Sequence, residues 1–426
     1  MKSILNYNLN KKDFIQDLLQ HKEIQNIDLF LHPNEICEED VYHLENISQG
    51  LFNLHFAITN KLKINCIIDQ DGDGFLSCAL LYFFFQEIEY PNEKVSYIMH
   101  EDKVHGIIIE ELDNDCEFLI APDCGTSDYE QHKQLQDRLI DILIMDHHEQ
   151  SEPENFINYN GLCIINNQLS PLYNNKYLCG SGVTFKVLKE YCKQYSPEIN
   201  MDKYLDLVAI AIVGDVMNLS TLENRYYVSK GLQNIQNPFF KSLVEKRAFS
   251  IGSDKPTPTD VAFYLIPAIN AIVRMGTKEE KQLLFNAITN GNIVVPSTKR
   301  GHAPNDTEIL KEQAIRLCDN AIARQRRERA KIAELLTTRI YQDGWENDKI
   351  IIGKYYDKDK INSNLTGLAA MELATQFQRP ALVIHYNEED DSWSGSARNF
   401  GSAIYDLKEF LLSSKFFEYC AGRLAL

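Results

Sequence analysis

The ten cysteines of this 426-residue chain form no CxxC pair and no CxH cluster. That absence argues against a structural zinc site and against a disulfide framework. It leaves the cysteines as small, reduced core residues of an intracellular protein. A basic surplus is missing too: 43 lysines and arginines face 61 aspartates and glutamates, for a formal charge of −18. Generic polyanion binders advertise a basic surface, so that class is disfavoured. A local basic groove, or an anion held through metal ions, stays compatible. No apolar run approaches the ~20 residues that span a bilayer, and the opening "MKSILNYNLNKKDF" is too polar for a signal-peptide core. Internal repeats and low-complexity tracts are absent as well. The expectation is a cytoplasmic protein with no membrane association. Its length exceeds what one hydrophobic core usually serves, so two domains or more are expected.

Residues 1–60 read as a lead-in packed on the first domain, with helices near Lys12–His21 and Asp40–Leu62. Strands and helices then alternate. "KINCIID" is a buried strand, and "GFLSCALLYFFFQEI" is long and apolar enough for a helix. "VSYIM", "CEFLIAPD" and "IDILIMDHH" are further short apolar runs ending in polar residues. This rhythm predicts an α/β fold with a parallel sheet and flanking helices, whose ligands sit beyond the carboxyl ends of the strands. After Gly180 the pattern turns helical. "VVPSTKRGHAPND" carries the loop formers of a boundary, and a long charged helix follows over roughly Glu308–Leu336. A second, smaller α/β unit starts near Lys349, with strands "KIIIGKY", "PALVIHY" and "SWSGSAR". The organisation expected is a first domain over 61–295, a linker and connecting helix over 296–340, and a second domain over 341–426.

The segment "IIDQDGDG" places Asp69, Asp71 and Asp73 within five residues, with nothing basic beside them. Like charges this close repel, so the sequence implies a cation among them. The three alternate as strand residues would, and Asp71 and Asp73, ahead of a tight turn at Gly74, are the favoured pair. "PDCG" puts Asp123 at the end of another strand, and "MDHH" puts Asp146, His147 and His148 at the end of a third. "VGDVMNL" adds Asp215 at the end of an apolar helix, where a buried carboxylate needs a partner. One aspartate after a strand is ordinarily a turn former or a helix cap; four such sites at successive element ends are not. Carboxylates with imidazole and no thiolate suit Mn²⁺ or Mg²⁺. A shared carboxylate can bridge two ions ~3.5–4 Å apart, as in two-metal phosphoryl hydrolases.

With "DQDGDG", "PDCG", "MDHH" and "GDVMNL" in this order, the chain resembles the DHH phosphoesterase superfamily, most closely its RecJ-like single-strand exonucleases. "IPAINAIVRMG" is similar to a RecJ segment with an asparagine and an arginine one helical turn apart, and "LATQFQRPALVI" and "SGSARNF" are similar to the accessory DHHA1 domain. The likeness covers about residues 60–426. It implies a DHH domain joined by the long helix to a smaller DHHA1 substrate-binding domain. It also implies Asp71, Asp73, Asp123, His147 and Asp215 as ligands of two ions, with Asp123 bridging. His148 would contact the scissile phosphate and Asp146 would orient the histidines; Asp69 matches an acidic position of RecJ proteins. The chain departs from the family pattern in three places. Ile67 stands where many relatives carry a histidine, Arg423 in "CAGRLAL" stands where a glycine-rich segment has its histidine, and no OB-fold follows.

Asn270 and Arg274, four apart on a helix, share a face suited to phosphate. Ser396 and Arg398 alternate on a strand and project from one side, and the neighbouring Gly395 permits close approach of a backbone or nucleotide. "RQRRERAK", interspersed with glutamate, reads as a solvated face of the connecting helix. The function expected is a metal-dependent phosphodiesterase, a 5′-to-3′ exonuclease whose partner is single-stranded nucleic acid, DNA rather than RNA. Two other readings stay open: a short-oligonucleotide or cyclic-dinucleotide phosphodiesterase of the same superfamily, and a catalytically inactive nucleic-acid-binding scaffold.

Overall fold

Five short segments, β1 (Ile64–Ile68), β2 (Val95–Met99), β3 (Phe118–Pro122), β4 (Asp141–Asp146) and β5 (Leu162–Asn166), pair into one sheet in a computed structural model. The structure describes residues 11–100, 105–253, 255–388, 391–401, 403–417 and 420. Arg423 lies outside them. All pairings are parallel, in the order β2-β1-β3-β4-β5. β1, β3 and β5 are buried along their whole length, as strands covered on both faces must be, and all three are predominantly apolar. β5, "LCIIN", lacks an acidic end and was not among the strands expected from sequence. The strand order reverses between β1 and β3, so connections leave to opposite sides and open a crevice at the carboxyl ends.

On one side of the sheet, the helix Gly72–Glu87 is apolar nearly all round and packs against the helices Gly180–Tyr195 and Leu205–Gly214. A second apolar cluster joins Ile67, Ile107, Leu119, Ala121, Leu135, Ile142 and Ile144. In the lead-in, helices form over Lys11–His21 and Ile47–Thr59. The second of these starts later than expected because Val41–His43 is a single 3₁₀ turn capped by Asp40.

The chain divides into two compact units, Met1–Val273 with Thr277–Arg316, and Arg274–Gly276 with Leu317–Leu426. The stretch rich in loop formers includes an antiparallel ribbon of β6 (Val294–Pro296) and β7 (Thr307–Ile309) within the first unit. Here Glu308 accepts two hydrogen bonds from Arg316, at 2.6 and 2.7 Å. The long helix runs over Leu310–Gln342. The second unit holds β8 (Ile351–Tyr356), β9 (Ala381–Asn387) and β10 (Ser392–Arg398), in the order β10-β9-β8. β8 and β9 are parallel, joined through the helix Thr366–Phe377, and β10 is antiparallel to β9. Leu336, Ile351, Leu365, Leu373 and Val383 centre its core. Arg329 pairs with Glu372, and Lys331 with Glu328, so part of "RQRRERAK" is committed to local ion pairs.

Candidate metal centre

The first acidic cluster does not leave the sheet as a strand. β1 stops at Ile68, and Asp71 opens the helix Gly72–Glu87 by accepting the Gly74 N–H at 2.9 Å. Its carboxylate is an N-cap, and Asp73 and Gly74 sit in the first helical turn rather than at a tight turn. Asp73 is buried. Its two oxygens accept the backbone N–H groups of Gly180 (2.7 Å) and Ser181 (3.0 Å), the first residues of the next long helix. The first two N–H groups of that helix thus fix the carboxylate's position. The same helix start explains Gly180 itself. A Cβ there would lie 2.3 Å from Asp123 Oδ1, so only glycine fits.

Asp123 follows β3 with φ of +64°, a left-handed backbone that aspartate adopts at some cost. It is fully buried, and neither carboxylate oxygen has a hydrogen-bond partner among the described residues. Burial pushes its pKa well up, and the charges of Asp73, Asp71, Asp69 and Asp215 push it further. His147 Nε2 stands 3.1 Å from Asp123 Oδ1, 3.6 Å from Asp215 Oδ2 and 3.8 Å from Asp73 Oδ2. Asp215 closes the apolar helix Leu205–Gly214, and the exposed Val216 beside it takes φ of +55°, an unfavourable conformation for a β-branched residue. Backbone strain therefore flanks two of these acidic groups.

Asp146 organises the turn after β4. Its Oδ1 accepts from the His147 N–H (2.7 Å), the His148 N–H (3.2 Å) and His148 Nδ1 (2.8 Å), and its Oδ2 from the Thr126 N–H (3.1 Å). Burial alone would raise the Asp146 pKa, but His148 and His147 hold it well below the usual carboxylate range. Burial alone would lower that of His148; the hydrogen bond and charge of Asp146, with Asp71 and Asp69, raise it to about 9. His148 is half-exposed, so it presents a positive charge to solvent at neutral pH.

Three groups of donor atoms converge, each within 4.8 Å: Asp123, Asp146, His147 and His148; Asp73, His147 and Asp215; and Asp69, Asp71 and Asp123. Asp123 and His147 are each shared by two groups. The fit to divalent cations rests on Asp123. An uncompensated buried carboxylate is costly, and a cation among these hard oxygen and imidazole donors removes that cost. Ile67 contributes no donor, being buried in the apolar cluster.

Asn270 and Arg274 share the helix Ile266–Met275. Asn270 Oδ1 lies 3.7 Å from where a Cβ on Gly72 would stand, which places it beside the acidic helix start. The Arg274 carbonyl accepts from Asn364 Nδ2 at 3.3 Å. In the C-terminal unit, Ser396 Oγ lies 3.0 Å from Thr366 Oγ1, and Arg398 reaches Gly367, so both strand residues meet the start of the helix Thr366–Phe377. Gly395 lies close against its neighbouring strand: a Cβ there would stand 2.1 Å from the Val383 carbonyl.

Several contributors carried no readable signal. Thr126 and Asn166 join the "MDHH" turn, Asn166 Nδ2 donating to Thr126 Oγ1 and to the His148 carbonyl, both at 2.9 Å. Lys281 is buried and donates to Gln70 Oε1 at 2.6 Å, setting an ammonium behind the "DQDGDG" loop. His105 reaches Asp69 from a segment far away in sequence. Only Gly180 and Ser181 had a visible cue, the small residues of "CGSG" opening an amphipathic stretch.

The profile of the DHH family, N-terminal domain, matches residues 63–212. YorK of Bacillus subtilis strain 168, a prophage-derived protein named as a single-strand DNA-specific exonuclease, is 30% identical over 417 residues, covering 96% of this chain and 70% of YorK. The crystal structure of RecJ from Thermus thermophilus in complex with Mn²⁺ superposes with a TM-score of 0.70 at 18% identity, over 95% of this chain and 54% of that one. Its Mg²⁺ complex gives 0.63 at 17%, over 95% and 52%. The chain therefore spans about half the length of that RecJ, and at these identities the superpositions fix the fold alone. Taken with the four motifs in register, these matches show that the chain belongs to the DHH family and is a homologue of YorK and RecJ.

Proposed function

We propose that the chain is a metal-dependent phosphodiesterase that degrades single-stranded DNA from its 5′ end, using two Mn²⁺ or Mg²⁺ ions. The observation that carries this reading is the buried Asp123 carboxylate, which has no hydrogen-bond partner among the described residues and is shared by two convergent donor groups. Asp71, Asp73, Asp123, His147 and Asp215 would hold the ions, with Asp123 between them. When bound, the ions supply a nucleophilic water at neutral pH and charge stabilisation for the phosphoryl oxygens.

The remaining chemistry belongs to the chain. His148, cationic and facing solvent, would donate to a non-bridging oxygen of the scissile phosphate, with Asp146 fixing its Nδ1 and its orientation. The start of the Gly180–Tyr195 helix holds the Asp73 carboxylate in place through two backbone N–H groups. Asn270 with Arg274, and Ser396 with Arg398, would bind flanking phosphates and set the register of cleavage. On this reading residues 61–295 form the catalytic domain, 296–340 the linker and connecting helix, and 341–426 the substrate-binding domain. Single-stranded DNA is the substrate class named for YorK, the relative aligned over most of this chain.

The test is a cleavage time course with Mn²⁺ on 5′- and 3′-labelled single strands, blunt duplexes and dinucleotides. Mononucleotides released first from the 5′ end of single strands are expected. Release from the 3′ end would overturn the polarity, and turnover confined to dinucleotides would make this a small-substrate phosphodiesterase.

A further inference from the structure

Asp69 is fully buried, yet its carboxylate is held from outside its own loop. His105 Nδ1 donates to Asp69 Oδ2 at 2.6 Å, and the Gly106 N–H donates to Oδ1 at 3.2 Å. The segment delivering these donors is itself anchored. His100 Nε2 donates to the Gly106 carbonyl at 2.8 Å, and Asp128 accepts the Ile107 N–H at 2.7 Å. Gly106 has φ of +89°, and a Cβ on it would stand 2.4 Å from Asp128 Oδ2, so this turn has one tight arrangement. Asp69 in turn offers an oxygen to the donor group that includes Asp71 and Asp123.

We infer that His105 is a positioning residue of the metal centre: by donating from Nδ1 it fixes Asp69 in the orientation that presents a carboxylate oxygen toward Asp71 and Asp123. A carboxylate shared between a ring N–H and a cation cannot rotate away when the cation leaves, so the site stays arranged for rebinding. Burial of Asp69 alone would not achieve this, because rotation about its side chain moves both oxygens. The half-exposed ring of His105 makes a core-packing role minor. This inference rests on the metal-binding part of the proposed function and not on its nuclease part.

The experiment measures Mn²⁺ binding to the metal-free full chain by calorimetry and by Mn²⁺ electron paramagnetic resonance, with no nucleic acid present. His105→Ala should weaken one class of Mn²⁺ site roughly ten- to hundredfold, the range for loss of a ligand's supporting partner. Its melting temperature without metal should stay that of the wild type. His105→Asn, whose amide nitrogen can occupy the place of Nδ1, should restore most of that affinity, leaving a loss smaller than the roughly tenfold lower end of the same range. Unchanged Mn²⁺ affinity in His105→Ala overturns the inference, as does an Asn variant no better than Ala. An Ala variant destabilised without metal, and not rescued by Asn, assigns the residue to the fold instead and overturns it too. A wild-type chain that binds no Mn²⁺ overturns both readings. One whose Mn²⁺ affinity depends on His105 but that cleaves no strand overturns only the nuclease.

Discussion

His147 Nε2 lies 3.1 Å from Asp123 Oδ1, an oxygen with no hydrogen-bond partner among the described residues.

Asp123→Asn should abolish strand cleavage, with a loss of at least about 10²-fold, while the fold persists. Without metal the variant should melt no lower than the wild type, since it removes a buried carboxyl whose ionisation burial and the neighbouring carboxylates oppose. Added Mn²⁺ raises the melting temperature of a protein that binds it only when folded, and this rise should disappear. Paired melts with and without Mn²⁺ check both halves. A variant that keeps the Mn²⁺-dependent rise does not have Asp123 in the site.

Gly180→Ala tests the same carboxylate without touching a donor. The added methyl would stand 2.3 Å from Asp123 Oδ1 and 2.6 Å from its Cβ, so the side chain must turn and the backbone around it must shift. Because the helix start is otherwise compatible with alanine, secondary structure by circular dichroism should survive. Mn²⁺ affinity should fall roughly tenfold or more, as when a ligand loses its orientation. Full affinity would mean that Asp123 tolerates displacement.

Arg398→Ala should weaken substrate capture more than it slows chemistry. The residue sits on the exposed strand β10 beside the start of the Thr366–Phe377 helix, within the unit proposed to bind substrate. One charge-assisted contact is worth roughly 1.5–3 kcal/mol, a ten- to hundredfold rise in KM at nearly constant kcat. An unchanged KM with a collapsed kcat would place this arginine at the reacting bond.

Acid should loosen the "PDCG" loop through His132. This buried imidazole donates from Nε2 to the Gly125 carbonyl at 2.8 Å, and its Nδ1 has no acceptor among the described residues. Burial lowers its pKa to about 4, although the Gly125 carbonyl opposes the shift. The folded protein therefore holds it neutral, whereas the unfolded chain protonates it below about 6.5. Its contribution is complete above that pH and is lost as the pH falls from about 6.5 to about 4, reaching ~3 kcal/mol in all. His132→Gln keeps a donor for Gly125 and cannot ionise, so its melting temperature should fall less steeply over that range. Parallel acid limbs for both proteins would refute the assignment.

Much of this molecule is readable in one dimension because burial writes apolar runs. β1, β3 and β4 announce themselves, and at or just past the carboxyl end of each stands a buried aspartate, Asp69, Asp123 and Asp146. β8, β9 and β10 are legible for the same reason. β5 escaped because it ends in asparagine, and nothing marks "LCIIN" as the edge of a site. The path of "DQDGDG" was misread because alternation is also what an N-cap and a first-turn residue produce. Asp71 and Asp73 differ in role by which backbone N–H each accepts, and that depends on a helix start more than a hundred residues away. Lys281 and His105 are invisible for a related reason: their partners, Gln70 and Asp69, are brought to them by tertiary structure alone.

The donors that converge on Asp123 come from residues 69 to 215, and the sheet that carries most of them inserts β3 beside β1 only after β2 has been laid down. No hairpin or single helix among the described residues contains a complete donor group, so the centre forms late, after the slow long-range strand pairings. A cation can then recognise only a chain whose first unit is already closed. Mn²⁺ should accordingly leave the refolding rate of that unit as it is and slow its unfolding, acting as a latch on a finished structure rather than a nucleus for an emerging one.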